Sequence, residues 1–521
     1  MALKVMFIYP NHKGMNMLPP GIALLSACLK MEGFNVELFD TTYYDTIDGS
    51  AVDSDKSKSD RLMARSYTMP SPVAQLTTTL KCSDVYEDFL KAVTTFEPDL
   101  LALSATEDMF LLGMRLLTKV QHLKILTIAG GVFPTFAPEV VLSYPEISIV
   151  CKGEGEDALI ELCRRLETGK EYDDINNLWV RKRDGSIRKN PTKMTDMDKN
   201  PLIDMTIFEE ARFYRPMGGK VYRMFPVETH RGCPYPCTFC NSPTQMELYR
   251  AEEGKSYLRR KSFDNMKREL LFYKNEMKAE YLYFWADTFF SWKQGEFEEF
   301  AELYKEIGLP FWCQTRVETV NKRRLQVLRD IGCARISFGL EHGNDEFRKK
   351  HIRRHMSNDV VIRSFELTKE VGIPFSVNNI IGFPHETYEL AFDTVRLNRQ
   401  FDADDRNAYP YTPFTGTPMR DDCEKLGFLK KGDIVNSLVA GSSILDMPQF
   451  PAKQVQGLIK TFNMYVKFPE SRWPEIKRAE EDSSTGEKLY SELKKEFMET
   501  FWNEDNTSFE ESSANHPMNT T

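Results

Sequence analysis

Three cysteines, Cys233, Cys237 and Cys240, fall within the eleven residues 230-HRGCPYPCTFC-240, spaced C-x3-C-x2-C. Thiolates are soft ligands, and three so close together read as a metal-binding loop. Pro234 and Pro236 hold the loop extended and keep it from continuing as a helix. Structural zinc takes four nitrogen or sulfur ligands. The fourth would have to be His230, three residues before the first cysteine, and no second C-x2-C follows. An iron–sulfur cluster suits three thiolates on one loop, because its inorganic core bridges larger distances than one ion does. Three protein ligands leave one iron open to a substrate-like molecule, which an electron carrier would not need. The other cysteines are scattered. Cys28, Cys151 and Cys163 lie in apolar helix-like or strand-like segments and read as small buried hydrophobes. Ten cysteines in 521 residues do not make a disulfide framework, so the expected compartment is the reducing cytoplasm.

The triplet follows FPVET (225–229), the first of six apolar strand-like segments. The others are YLYFWAD (281–287), FWCQT (311–315), ARISFGLE (334–341), FSVNNIIG (375–382) and AYPYTPF (408–414). Helical periodicity falls between them at 262–277, 293–306, 321–331, 357–371 and 386–400, with Ser262 as the N-cap of the first. Six βα units predict a partial (β/α)6 barrel, short of the closed eight. Upstream, KVMFIYP (4–10), FNVELFD (34–40), DLLALSA (99–105), KILTIAGG (124–131) and ISIVC (147–151) also alternate with helical segments. That pattern predicts an α/β, Rossmann-like (flavodoxin-like) parallel sheet with ligands at the carboxyl ends of its strands. Those ends read 104-SATED-108, 130-GGVFPTFAPE-139 and 153-GEGE-156, and their glycines let backbone approach a flat or phosphorylated ligand.

The chain therefore divides into a first domain (1–170), a connector (171–220), the barrel (221–425), a helical C-terminal region (426–502) and a polar tail (503–521) expected to be disordered. Residues 45–81 read as a polar insertion, and NLWVRKRDGSIRKN in the connector as a hairpin turning at Asp184-Gly185.

At the end of a barrel's first strand, C-x3-C-x2-C with an aromatic, Phe239, before the third cysteine resembles the radical S-adenosylmethionine (SAM) superfamily. The resemblance implies a 4Fe-4S cluster on Cys233, Cys237 and Cys240, with SAM chelating the open iron. Reductive cleavage of SAM then gives methionine and a 5′-deoxyadenosyl radical. It also implies a small-molecule substrate and an electron donor such as flavodoxin or ferredoxin. Further strands resemble the superfamily in order. In 284-FWADTFF-290, Asp287 would hold the SAM amino group; in 313-CQTRVETV-320, Arg316 would meet the SAM carboxylate, a contact that suits a planar guanidinium. In 336-ISFGLEHGND-345, Ser337 and Glu341 would face SAM, and 379-NIIGFPHET-387, with Gly382, resembles the element whose backbone contacts adenine. The match covers about residues 225–420.

The strand ends of the first domain resemble the cobalamin-binding domain of a large radical SAM subfamily that includes the magnesium-protoporphyrin cyclases and cobalamin-dependent methyltransferases. This implies cobalamin contacts from Ser104, Gly130, Gly131, Glu154 and Gly155. Base-off cobalamin domains carry D-x-H-x-x-G after the first strand. Here the place reads Pro10-Asn11-His12-Lys13-Gly14, so the lower axial ligand is not named, and His12 reads as an exposed loop histidine.

Composition narrows the classes. The chain is 41% hydrophobic and 28% charged, with a net charge of −9, so nonspecific nucleic-acid binding is disfavoured. The basic stretches 259-RRK-261 and 351-HIRRH-355 read as solvated faces. No apolar run is long enough to span a bilayer. Three readings remain: a cobalamin-dependent methyltransferase acting on an unactivated carbon, a radical SAM cyclase or oxidoreductase without cobalamin, and a non-catalytic cluster and cobalamin sensor. A methylthiotransferase would need a second cysteine triad, and Cys28, Cys82 and Cys151 do not cluster.

Overall fold

The computed structural model describes residues 2–12, 17–46, 62, 81–218, 220–436 and 443–502. The polar insertion falls almost wholly outside them, and the polar tail entirely. Two seven-stranded sheets dominate. In the first, β1 (Lys4–Tyr9), β2 (Asn35–Asp40), β3 (Leu100–Ser104), β4 (Leu126–Gly130) and β5 (Ile149–Cys151) are parallel, in the order β2-β1-β3-β4-β5. Strand order reverses between β1 and β3, and at such a switch point the loops diverge and leave a crevice at the carboxyl ends. The hairpin expected in the connector forms β6 (Leu178–Arg181) and β7 (Ile187–Lys189), which extend this sheet antiparallel beyond β5.

The second sheet begins with β8 (Tyr214–Met217), antiparallel to β9 (Lys220–Val227). After a short ladder of β10 (His230–Arg231) and β11 (Arg259–Arg260) come β12 (Tyr281–Phe284), β13 (Phe311–Arg316), β14 (Cys333–Glu341), β15 (Phe375–Ile381) and β16 (Asp405–Pro410). From β9 to β16 all neighbours are parallel and sequential, giving the expected six-stranded partial barrel. The last strand starts three residues earlier than expected, because Asp405 and Arg406 are buried here rather than in a loop; Asp405 pairs with Arg335 at 3.0 Å. Buried charge needs such a partner. β8 lies in the connector, beyond the expected hairpin.

Crossover helices cover the outer face and bury its apolar side chains, among them Phe284, Phe311 and Phe338. The Ser262 hydroxyl caps helix Phe263–Asn275 by accepting from the Asn265 N–H, and Ser357 caps Asn358–Val371 in the same way. The main core is continuous across both sheets, from Val5 and Phe7 through Met205 and Phe213 of the connector to Phe284 and Phe338. Cys28, Cys151 and Cys163 are buried within it. The helices Ala452–Lys467 and Ser484–Phe497 form a second core against β15 and β16. None of the described helices is long and apolar enough to cross a membrane.

Candidate active site at the junction of the two sheets

The carboxyl ends of β3, β4 and β5 face those of the barrel strands across one cavity of about 1150 Å³. Ser104, Gly130, Gly131 and the 153–156 loop line one wall. Phe239, Asp287, Ser337 and Glu341 line the other. Val132 and Trp285, 48% and 39% exposed, also open onto it. Large apolar side chains left open in a concave site mark a place for a ligand.

Gly131 has φ 107°, and a Cβ there would stand 2.9 Å from the Ala105 carbonyl oxygen, so only glycine fits. Gly130 is different: its Cβ would meet Cys151 Cβ at an ordinary 3.6 Å. The bare backbone of Gly130 and Gly131 is therefore presented to the cavity.

The cysteine loop is anchored on three sides. β10 and β11 fix its start. Beyond them, the Thr238 N–H donates to the Ile352 carbonyl at 3.2 Å and its hydroxyl to the His351 carbonyl at 2.6 Å. The Met419 N–H donates to the Thr238 carbonyl at 2.8 Å. Cys233 Sγ lies 3.6 Å from Thr288 Oγ1, and Cys237 Sγ accepts from Arg316 Nη1 at 2.8 Å. Cys240 Sγ accepts the Ser242 N–H at 3.5 Å. Burial pushes the Cys233 thiol up to about 11 and also raises that of Cys240, against the pull of Ser242. A thiolate at either place needs a positive centre beside it, which cluster iron supplies. Among the described residues, no three Cys, His, Asp or Glu side chains converge as a single-ion site requires. Three thiols on one loop are the kind of donor set that would suit a cluster.

Asp287 opens to the cavity but is closely surrounded by protein, and burial raises its carboxyl above the ordinary range although Ser242 donates to it at 3.2 Å. Glu341 reaches the cavity through a register shift between β14 and β15 and a left-handed φ of 71°. Bulges re-aim side chains in this way. Burial raises its carboxyl too, against the attraction of Arg354 at 3.2 Å and of Arg316. Ser337 belongs to a cross-strand polar chain: Asn407 Nδ2 donates to Asn378 Oδ1 at 2.9 Å, and Asn378 Nδ2 to Ser337 Oγ at 3.0 Å. Asn378 and Asn407, which also line the cavity, were not singled out from the sequence.

Five expected residues do not reach the cavity lining: Cys233, Cys237 and Cys240, whose loop borders it through Gly232 and Phe239, and also Arg316 and Gly382. Arg316 stacks on Tyr235, its carbon centre 3.9 Å from the ring, and pairs with Glu318 as well as Cys237. Gly382 packs toward Val455, and its N–H donates to Glu386 at 2.5 Å. His12 is a correction. It is buried, not exposed, with Nδ1 2.8 Å from Thr46 Oγ1, because Asn11 beside it is tied to Thr41 at 2.7 Å. It is not in the cavity lining.

The sequence reading also missed an ion network between the walls. Arg231, two residues before Cys233, lies 2.7 Å from both Glu154 and Glu156 and 3.0 Å from Glu228. Arg259 pairs with Glu154 too, and the Thr195 N–H donates to it at 2.7 Å. The Glu154 carboxylate, expected at a cofactor, is thus held by the barrel, while its loop still lines the cavity.

Comparison with known proteins matches residues 227–397 to the radical SAM superfamily and 74–163 to the B12 binding domain. An uncharacterised methyltransferase, PH0819, of Pyrococcus horikoshii is 27% identical over 64% of this chain and 71% of its own length. The anaerobic magnesium-protoporphyrin IX monomethyl ester cyclase of Rubrivivax gelatinosus is 26% identical over 66% of this chain, which spans 61% of that enzyme. Two solved structures share the fold at 16% identity. The radical SAM methyltransferase TsrM from Kitasatospora setae, with cobalamin and a 4Fe-4S cluster bound, has a TM-score of 0.60 over 82% of this chain and 78% of its own. The cobalamin-dependent radical SAM enzyme OxsB, with aqua-cobalamin and SAM bound, has 0.62 over 97% and 72%. The chain is an enzyme that carries a B12-binding domain ahead of a radical SAM domain.

Proposed function

We propose that the enzyme holds a 4Fe-4S cluster on Cys233, Cys237 and Cys240, takes SAM and cobalamin into the shared cavity, and transfers a methyl group to an unactivated carbon of a small molecule. The observation that carries this reading is the cavity walled on one side by the glycine-bearing strand ends of the B12-binding domain and on the other by Gly232 and Phe239 of the cysteine loop with Asp287, Ser337 and Glu341. When bound, the cluster supplies the electron that cleaves SAM and cobalamin supplies the methyl group.

The chain's own residues bind, orient and screen. The three thiolates leave one iron coordination position for SAM. Asp287, with Ser242 fixing one oxygen, accepts from the SAM ammonium; a cation there offsets the cost of its buried charge. Glu341 and the Asn407–Asn378–Ser337 chain offer acceptors and donors for ribose and adenine. Arg316 keeps positive charge at the Cys237 sulfur. Gly130 and Gly131 let the corrin face lie against backbone, and Val132 and Trp285 help keep water from the reacting centre.

Anaerobic reconstitution with iron, sulfide and hydroxocobalamin, followed by mass analysis of SAM products and bound corrinoid, tests this reading. Retained cobalamin with SAM turnover supports it. Turnover without any retained cobalamin leaves a radical SAM cyclase or oxidoreductase instead.

A further inference from the structure

The segment 348-RKKHIRRH-355 carries five Lys and Arg side chains in a protein of net charge −9. The sequence alone marks part of it as a solvated face. The structure places it against the cysteine loop. His351 and Ile352 accept the two hydrogen bonds from Thr238, which lies between Cys237 and Cys240. Residues Arg348–Ile352 form a π-helical turn, a rare conformation that concentrates at functional sites. Its side chains divide in two. Arg348 and Arg354 are buried and paired, with Asp345 at 2.6 Å and Glu341 at 3.2 Å. Lys349, Lys350 and Arg353 are exposed and form no ion pair among the described residues. The cysteine loop thus touches both the cavity, which Phe239 lines, and this exposed basic turn.

We propose that Lys349, Lys350 and Arg353 form the docking surface of a small acidic one-electron carrier protein, which delivers its electron to the cluster loop. This rests on the radical SAM reading of the site. The anionic reduced flavin of such a carrier loses one electron and no proton moves. The electron passes through the cluster into the SAM C5′–S bond, which breaks to methionine and the 5′-deoxyadenosyl radical. A basic patch steers an acidic partner and fixes its orientation, and salt weakens both effects.

The test compares two reductants on the reconstituted enzyme: reduced flavodoxin, and the reduced methyl viologen cation, which has no use for a basic surface. The variant is Lys349→Glu/Lys350→Glu/Arg353→Glu. With flavodoxin, 5′-deoxyadenosine formation should fall at least tenfold, and its inhibition by salt should flatten. With methyl viologen the rate should not change. Calorimetric binding of oxidised flavodoxin should weaken at least tenfold as well. Unchanged flavodoxin-driven turnover and binding would overturn the proposal. An equal loss with methyl viologen would do so too, because the substitutions would then have damaged the site itself. If the wild-type enzyme cleaves no SAM with either reductant, the functional reading fails, and flavodoxin binding alone still decides whether the surface is a docking site.

Discussion

Glu154, in the loop after β5, stands 2.7 Å from Arg231, which precedes Cys233 by two residues. One buried ion pair therefore joins the B12-binding domain's wall of the cavity to the start of the cysteine loop. Glu156 and Glu228 share the same guanidinium, so Arg231 balances three carboxylates at once.

Replacing Arg231 by Met should leave those carboxylates under-compensated. Removing one partner of a buried pair typically costs about 3–5 kcal/mol. Anaerobic denaturant unfolding should show a loss of that size, and a variant as stable as wild type would remove the network from the account.

The Arg231 guanidinium gives a pH signature through Glu228. Burial alone would raise the Glu228 carboxyl, but Arg231 and Lys261 bring it below the ordinary range. A depressed folded-state value contributes stability that is complete above the unfolded pKa, about 4.3 for glutamate, and is lost as pH falls through the folded value. Asp287 and Glu341, raised by burial, act in the opposite sense. The difference between wild type and Arg231→Met isolates Glu228 and its partners, and that difference should shrink on going from pH 7 to below 4. A gap that stays constant with pH would mean that Arg231 acts through packing alone.

Asp287→Asn keeps the shape but loses the negative charge. SAM binding, measured by equilibrium dialysis with labelled SAM, should weaken by about 1.5–3 kcal/mol, the range for a hydrogen bond to a charged group. Iron content should be unchanged. Wild-type SAM affinity in this variant would take Asp287 out of the site.

The cobalamin wall is best probed at Gly130. A side chain at Gly131 would strain the backbone, whereas Gly130 has ordinary space at its Cβ. Gly130→Trp should fill the cavity beside β4, lose hydroxocobalamin on reconstitution and keep the cluster iron. Full corrinoid retention would place cobalamin elsewhere.

Much of this arrangement was legible in the sequence, for local reasons. The spacing of Cys233, Cys237 and Cys240 is set within one loop, and the strands bearing Asp287, Ser337 and Glu341 announce themselves as apolar runs. What escaped depends on distance along the chain. Arg231 and Glu154 are 77 residues apart, and no local pattern pairs them. His12 was misread because its burial comes from Thr41 and Thr46 on a different loop. Arg316 was expected at SAM from its place on β13, but its side chain turns to Cys237 and Glu318, a choice made by tertiary neighbours. β8 was invisible because a short edge strand containing Pro216 carries little period.

The central claim is that one cavity serves a three-cysteine cluster and cobalamin together. The most direct measurement is metal and product analysis of anaerobically reconstituted enzyme beside a Cys233→Ala/Cys237→Ala/Cys240→Ala variant. The account predicts that wild type binds about four irons and one cobalt per chain and cleaves SAM, while the variant keeps cobalt, loses the iron and cleaves none. A triple variant that retains the iron and cleaves SAM, or a wild type that takes up neither metal, would contradict it.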